Sequence, residues 1–157
     1  MDYPEELLAR GNKNSVDSIS LLTYLPHRYP MLLIDKILDS EEGDWAIGVK
    51  CISALEPYFQ GHYPNRPIMP GTLQLEALSQ VASYLLYPYF RGGLPIFTGV
   101  RSLRFFSIVK PGDQLVLFCQ IKDKPRGEEG IFKVVGDGYV DKKKCISAEM
   151  SFTIDRS

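Results

Sequence analysis

Two side chains that could transfer protons lie close together in the sequence GHYPNRPIMPGTLQLEALSQ, which spans residues 61–80. His62 is in a proline-rich stretch where a helix cannot propagate, and Glu76 follows 14 positions later. An imidazole can act as a general base, and a carboxyl group can act as a general acid when it carries a proton. The pair therefore predicts a site for proton-transfer chemistry.

Glu76 is predicted to lie on a helix that spans residues 72–87. Pro70 suits a first-turn position, Gly71 tolerates close backbone approach, and Pro88 ends the helical pattern. The first N–H groups of a helix have no partner inside it, and they carry a partial positive charge. That charge would fall between the two candidate residues in the sequence.

Apolar residues cover most of the circumference of this predicted helix, which favours burial. They are Leu73, Leu75, Ala77, Leu78, Val81, Ala82, Leu85 and Leu86. A narrow polar seam remains, formed by Glu76, Gln80 and Ser83. The seam is either a solvated face or a functional one. An unpaired carboxylate on a buried helix is costly, and this cost tilts the interpretation toward function.

Composition excludes several classes of protein. The chain has 157 residues, 45% hydrophobic and 24% charged, as expected of one globular domain, with residues 1–18 as a polar N-terminal extension. A net charge of −1 argues against nucleic-acid binding driven by phosphate neutralisation. No apolar run is long enough to span a membrane, and the N-terminus carries acids where a signal peptide needs bases.

The few cysteines and histidines indicate neither a disulfide framework nor a metal site. Cys51, Cys119 and Cys145 are odd in number and widely separated, which suits a reducing cytoplasm. His27 and His62 are the two histidines, too few for a histidine-rich metal site. The prolines around His27 suggest that this residue lies in a structural turn.

The order of the predicted elements is two strands, one long buried helix and four strands joined by hairpins. The strands are residues 31–38, 45–52, 96–109, 114–121, 131–140 and 146–154. A single apolar helix is most economically covered by one antiparallel sheet that curls over it, which gives an α+β fold. Any side of the helix that the sheet leaves uncovered is expected to become a dimer interface.

Four blocks of sequence together resemble one family. They are LPHRYPMLLIDKI (25–37), FQGHYPNRPIMPGTLQLEALSQ (59–80), FTGV (97–100) and VKPGDQL (109–115). This pattern is similar to that of the 3-hydroxyacyl-acyl-carrier-protein dehydratases of the FabZ type, over residues 21–154. The resemblance implies the hotdog fold, in which a curved antiparallel sheet wraps a long central helix.

The resemblance also implies an activity. Relatives of this kind dehydrate a (3R)-hydroxyacyl thioester, carried on the phosphopantetheine of acyl carrier protein, to a trans-2-enoyl thioester. By analogy, His62 is the base at the α carbon, Glu76 delivers a proton to the departing 3-hydroxyl, and the Gly71 amide receives the thioester oxygen. No metal or redox cofactor is implied. His and Glu come from opposite subunits of a dimer, which in some relatives assembles further into a hexamer.

Other residues of these blocks are expected to bind the acyl chain. With Gly71, they are Tyr63, Ile68, Pro70, Phe97 and Gly99. Tyr63 stands where the family usually has Phe, which could alter the preferred chain length. Phe97, Phe105 and Phe106 could line an acyl tunnel, although aromatic residues in strands more often belong to the core.

The segment that follows FTGV departs from the family pattern DKARFRRPVVPGD. Arg101 and Ser102 replace the usual acid and Lys, and Ile108 replaces a Pro. Arg91, Arg101 and Arg104 could attract an acidic carrier protein, or they could form ordinary surface ion pairs.

Three alternatives to the dehydratase remain open. An acyl-thioester hydrolase of the same fold would release a free thiol. A non-catalytic acyl-binding subunit would bind its ligand without turnover, although the His62 and Glu76 pair counts against it. A dehydratase that also isomerises the double bond usually has Asp where this chain has Glu76.

Overall fold

The computed structural model describes residues 2–9, 11, 13–90, 92–125 and 130–156. The helices are α1 (Glu5–Ala9), α2 (Leu21–Tyr24) and α3 (Gly71–Leu86), and two 3-10 turns cover Pro57–Gln60 and Tyr87–Tyr89. The strands are β1 (Lys36–Glu41), β2 (Trp45–Cys51), β3 (Leu94–Phe105), β4 (Gln114–Asp123), β5 (Phe132–Val140) and β6 (Lys143–Asp155).

The six strands form one antiparallel sheet in the order β1-β2-β4-β5-β6-β3. Strand β4 lies inside the sheet, between β2 and β5, and Leu117 pairs with Gly48 on one side and Gly138 on the other. Helix α3 contacts β2, β3, β4, β5 and β6, so the sheet wraps the helix. The predicted α+β hotdog arrangement, with one long helix against one curved sheet, is confirmed.

The helix approaches the sheet closely at two glycines. A Cβ atom on Gly136 of β5 would lie 2.8 Å from Cγ of Leu78, and one on Gly48 of β2 would lie 2.5 Å from Cγ2 of Val81. Both helix residues have no exposed surface. Because carbon atoms cannot approach to these distances, only glycine fits the two strand positions beneath α3.

The first predicted strand begins later than expected. Residues 31–38 are apolar enough for a strand, but β1 starts at Lys36. The backbone N–H groups of Leu33 and Ile34 bond to the Gln80 side chain on α3, at 2.9 and 3.4 Å, instead of to a neighbouring strand. Residues 31–34 therefore cover the helix as a non-strand segment, and the prediction of a strand there is wrong.

The outer face of the sheet carries a second, smaller apolar cluster. Trp45 and Ile47 of β2 pack with Val116 and Phe118 of β4. Residues of the N-terminal segment, among them Leu7 of α1, pack against this cluster. Strand β4 is thus covered on both faces, as its nearly continuous apolar sequence predicts.

The other element boundaries differ from the predictions by a few residues. Helix α3 spans 71–86 rather than 72–87, and Pro70 is its N-cap instead of a first-turn residue. Strand β3 ends at Phe105, whereas the sequence predicted an extended segment to residue 109. Part of the predicted turn at residues 125–130 lies outside the described residues, as does Arg91.

No helix in the described part of the chain has the length and apolarity needed to cross a membrane.

Strand β3 lies at one edge of the sheet and pairs with β6 alone among the described strands. All of its residues are exposed or half-buried, including the large apolar side chains of Leu94, Ile96, Phe97, Val100 and Phe105. An exposed apolar edge strand is a template for pairing with another chain.

Replacing Gly136 with alanine is expected to lower the free energy of unfolding by about 1–3 kcal/mol, because the new methyl group overlaps the buried side chain of Leu78. Urea denaturation at a fixed protein concentration measures this change. The control is Gly61→Ala, since a Cβ at Gly61 meets no atom within 4 Å. Equal stability of the two variants would contradict the steric argument.

Candidate active site

The His62 side chain is fixed in one orientation by a backbone carbonyl. Its Nδ1 lies 2.8 Å from the carbonyl oxygen of Ile68. Because a carbonyl can only accept, Nδ1 carries the proton of the neutral ring, and Nε2 is left with its lone pair. The Tyr63 ring stacks on the imidazole, with 4.3 Å between ring centroids. The structure thus presents Nε2 of His62 as a proton acceptor.

Backbone hydrogen bonds hold the loop that carries His62. Its N–H donates to the carbonyl of Tyr58 at 2.9 Å, and its carbonyl accepts from Ile68 N–H at 3.0 Å. The next residue, Met69, donates to Val109 at 2.8 Å and is almost fully buried. The loop is therefore tied to the strand connection at residue 109 and to the 3-10 turn before His62.

The start of α3 presents the amide of Gly71 beside this loop. The N–H groups of Leu73 and Gln74 both donate to the carbonyl of Pro70, at 3.0 and 3.1 Å. Within the described residues, the N–H of Gly71 has no hydrogen-bond partner. A Cβ at this position would lie 2.8 Å from ring atoms of Phe105, so any side chain here would have to displace that ring. This amide can donate to an anionic oxygen.

His62 and Gly71 line the same open concavity, which has a volume of about 310 Å³. The other lining residues are Ile68, Met69, Gln74, Phe105, Phe106, Ser107 and Ile108. Phe105 and Phe106 are 50% and 53% exposed, so the alternative assignment of these rings to the core is wrong. The concavity combines a base, a helix N-terminus and apolar walls.

A larger groove of about 730 Å³ continues from this concavity and shares Ile68, Phe106, Ser107 and Ile108 with it. Arg66, Lys110 and Lys143 lie among its other lining residues. A separate cavity of about 570 Å³, at the C-terminal end of α3, is lined by neither His62 nor Glu76. The groove of about 730 Å³ is therefore the one that extends the candidate site.

Glu76 lies on α3, and its side chain is 25% exposed. Its Oε1 accepts a hydrogen bond from Nε2 of Gln80 at 2.8 Å, and Nε2 of His27 lies 3.5 Å from the same oxygen. Glu76 does not line the concavity that contains His62. A single protomer thus does not bring the two predicted proton-transfer residues into one cavity.

The remaining predicted site residues fall into two groups. Tyr63 and Ile68 contact or flank His62, and Pro70 caps the helix that starts at Gly71. Phe97 and Gly99 lie on β3, where Phe97 packs 5.2 Å from the ring of Phe152, and neither residue lines the His62 concavity. The structure gathers the first group and leaves the second group apart.

Sequence reasoning missed two residues that contact Glu76. The prolines around His27 predict a structural turn, but its Nε2 lies 3.5 Å from the Glu76 carboxylate. The sequence places Gln80 only in the polar seam, yet this residue is fully buried. A buried amide one helical turn from a candidate acid was the signal that could have identified Gln80.

Burial also affects a neighbouring phenol. Desolvation raises the pKa of Tyr58, and the charges of Glu56 and Asp35 raise it further, so this side chain stays a neutral phenol.

Across the described residues, no group of three or more His, Cys, Asp and Glu side chains is arranged to hold a metal ion.

Comparison with known proteins extends over most of the chain. The model of the FabA-like domain family matches residues 25–149. A 3-hydroxyacyl-[acyl-carrier-protein] dehydratase FabZ from Thermoanaerobacter sp. (strain X514) is 46% identical over 130 residues, which cover 82% of this chain and 89% of the relative. The FabZ of Albidiferax ferrireducens is 38% identical over 148 residues, which cover 91% and 97% of the two chains.

Solved structures show the same fold at low sequence identity. The dehydratase heterocomplex ApeI:P from Xenorhabdus doucetiae matches with a TM-score of 0.73 at 14% identity, covering 87% of this chain and 91% of that one. A hypothetical thioesterase with coenzyme A from Streptococcus pneumoniae matches with a TM-score of 0.60 at 10% identity, covering 77% and 87%. The identities with the curated relatives, together with the family match, show that this chain belongs to the FabZ family of 3-hydroxyacyl-[acyl-carrier-protein] dehydratases.

Proposed function

We propose that this chain dehydrates (3R)-hydroxyacyl thioesters on acyl carrier protein to trans-2-enoyl thioesters, with His62 as the base and Glu76 as the acid. The observation that carries this proposal is the orientation of His62. Its Nδ1 is committed to the Ile68 carbonyl, and its Nε2 is left as an acceptor in a concavity that also contains the Gly71 amide. Family membership supports the same reaction.

The reaction divides between these groups. Nε2 of His62 takes the proton from the α carbon of the thioester, and the electron pair moves toward the thioester carbonyl. The Gly71 N–H stabilises the negative charge that develops on that oxygen. The bond between C3 and its hydroxyl then breaks as the carboxyl of Glu76 supplies a proton, so that water leaves and the α,β double bond forms.

Two subunits together form each site in this proposal. Within one protomer Glu76 does not line the concavity that holds His62, which supports a second subunit as the source of the carboxyl group. The exposed apolar edge of β3 offers a surface for association, and Phe105 belongs both to this strand and to the wall of the concavity. Dimers are the expected unit, and they are able to assemble further.

The substrate is expected to arrive on phosphopantetheine, and its acyl chain to contact the predicted residues Tyr63, Ile68 and Pro70. Phe97 and Gly99 lie on β3 outside the His62 concavity, so their predicted contact with the acyl chain requires that the chain extend beyond it. The rings of Phe105 and Phe106 add apolar surface to the wall of the His62 concavity. No metal or redox cofactor takes part in the proposed steps. The reaction belongs to fatty-acid synthesis or a related acyl-chain pathway in the cytoplasm.

Arg101 and Arg104 are candidates for steering the acidic carrier protein. The Arg101 side chain is 87% exposed, and its ion pair with Glu149 is long at 3.9 Å. Exposed ion pairs of this kind contribute little to stability, so these cations are available for electrostatic attraction of a partner.

The first prediction concerns the two catalytic residues. His62→Ala and Glu76→Gln are each expected to lower kcat by about 10²–10⁴-fold on a carrier-bound 3-hydroxyacyl thioester, because each variant removes one proton-transfer group. Enoyl absorbance and mass spectrometry measure the product, which has lost one water. Release of free thiol by the wild-type protein would indicate the hydrolase instead. Binding without turnover across several chain lengths would indicate an acyl-binding subunit.

The second prediction tests whether each site needs two subunits. A purified heterodimer of one His62→Ala chain and one Glu76→Gln chain is expected to regain about half of the wild-type activity, because one of its two sites then has both groups intact. Differently tagged chains, co-expressed and purified through both tags, provide the sample. An inactive heterodimer would show that His62 and Glu76 act within one chain.

The third prediction separates carrier recognition from catalysis. Arg101→Glu and Arg104→Glu are expected to raise KM about tenfold for carrier-bound substrate at low salt, and to leave KM for a pantetheine thioester unchanged. The difference between variant and wild type should shrink as salt is added. Equal losses on both substrates would contradict a docking role. Lys122→Glu, an exposed cation on β4, serves as the control.

A further inference from the structure

Gln80 joins the candidate acid to a distant part of the chain. Its side chain is fully buried, one helical turn after Glu76 on α3. It contacts both Glu76 and the non-strand segment of residues 31–34, which covers the helix. No step of the proposed mechanism uses this amide, although a buried polar group on the catalytic helix is costly unless all its hydrogen bonds are made.

The surroundings of Gln80 determine which way its amide faces. The oxygen Oε1 lies 2.9 Å from the N–H of Leu33 and 3.4 Å from that of Ile34, so it accepts from two donors. The nitrogen Nε2 lies 2.6 Å from the carbonyl oxygen of Met31. If Oε1 and Nε2 were exchanged, the amide N–H groups would face the N–H groups of Leu33 and Ile34, and the amide oxygen would face the carbonyl oxygen of Met31. The backbone of residues 31–34 therefore fixes the amide.

The remaining N–H of that amide points at Glu76. It donates to Oε1 of the carboxylate at 2.8 Å. With this bond the Gln80 side chain uses both of its donor hydrogens and both acceptor positions. The amide can then neither rotate nor change partners without breaking several buried hydrogen bonds, so it holds Oε1 of Glu76 in place.

The two oxygens of Glu76 are thereby made different. Oε1 accepts from Gln80, and Nε2 of His27 approaches the same oxygen at 3.5 Å. In the described part of the chain no hydrogen bond reaches Oε2. An oxygen that faces an N–H donor is a poor place for a carboxyl proton, because two hydrogens would then point at each other.

We propose that Gln80 is a positioning residue, held by the backbone of residues 31–34, which directs the transferable proton of Glu76 onto Oε2. This inference rests on the proposed role of Glu76 as the acid. The segment of residues 31–34 contains no catalytic group. Through Gln80, its backbone fixes the direction in which Glu76 delivers the proton. Gln80 itself touches neither the substrate nor the reacting atoms.

A purely structural role for Gln80 is the alternative, since the same side chain attaches residues 31–34 to the helix. The two roles differ in what happens when Glu76 is already disabled. A positioning residue acts through Glu76, so its loss costs nothing more once the acid is gone. A structural residue lowers activity by the same factor in either background.

The experiment is a double-mutant cycle of Gln80→Met and Glu76→Gln, with single-turnover enoyl formation as the readout. Alone, Gln80→Met is expected to lower the rate of the chemical step by roughly 10–100-fold, with KM changed less than about threefold, since a small displacement of a reacting group costs this much. In the Glu76→Gln background the same change is expected to lower the rate less than about twofold. Unfolding in urea is measured on all four proteins.

Gln74→Met is the matched control. It is the same substitution at a buried glutamine of the same helix, and the Gln74 amide donates to the Met69 carbonyl instead of to Glu76. Whatever its effect on the rate, that effect should be the same factor in both backgrounds, because the Gln74 amide bonds to the Met69 carbonyl and does not hold the acid.

A second variant keeps the test sharp if Gln80→Met folds poorly. Gln80→Glu retains an oxygen that can accept from the Leu33 and Ile34 N–H groups, but it replaces the donor facing Glu76 with a second carboxyl group. Its rate of the chemical step should fall at least as far as that of Gln80→Met. A Gln80→Glu protein with the wild-type rate would overturn the proposal.

The outcomes separate this inference from the proposed function. If Glu76→Gln is impaired and Gln80→Met costs the same factor in both backgrounds, Gln80 is structural and only this inference falls. If Glu76→Gln keeps the wild-type rate, the catalytic role of Glu76 fails, and the positioning role fails with it. Loss of the Gln80 effect in the Glu76→Gln background supports the inference.

Discussion

The close approach of α3 to the sheet is the constraint on which the rest of this structure depends. The helix lies this close to the sheet because two strand positions on the inner face, Gly48 and Gly136, carry no side chain. Leu78 and Val81 of the helix fill the space that these glycines leave. The helix is consequently buried over most of its length, and polar groups on it must find partners inside the protein.

That requirement joins the packing to the chemistry. The N-terminal turns of α3 emerge from the core, so the Gly71 amide and the Glu76 carboxyl reach the surface, whereas the following turn is buried. Gln80 lies at this transition and uses every hydrogen-bonding position of its amide. The segment of residues 31–34 is tied down by the same bonds. One buried side chain thus supports both the covering segment and the orientation of the acid.

Much of the fold could be predicted from the sequence, because periodic patterns report which residues are buried. The boundaries of α3 were wrong by one residue at each end, and the alternation along β6 identified the last strand. Residues 31–34 were misassigned because their apolar pattern reports burial without specifying the hydrogen-bond partner. There a helix side chain, 46 or 47 positions away along the chain, takes the place of a neighbouring strand.

The candidate site was only partly predictable. His62 and Gly71 meet because a short loop leads directly into the helix, and such local geometry can be inferred from the prolines and the glycine. The exposure of Phe105 and Phe106 could not, since aromatic residues in a strand look alike whether they face the core or an open edge. The pairing of His27 with Glu76 depends on the path of a long loop, which no periodicity describes.

The contact between Phe105 and Gly71 links the start of α3 to the apolar wall of the His62 concavity. The aromatic ring occupies the space that a side chain at position 71 would need. Phe105 on β3 and Gly71 on α3 are thus in steric contact, although they lie far apart along the chain. Because the Phe105 ring is half exposed, a side chain at position 71 would displace the ring, so the shape of this apolar wall depends on the glycine at the start of the helix.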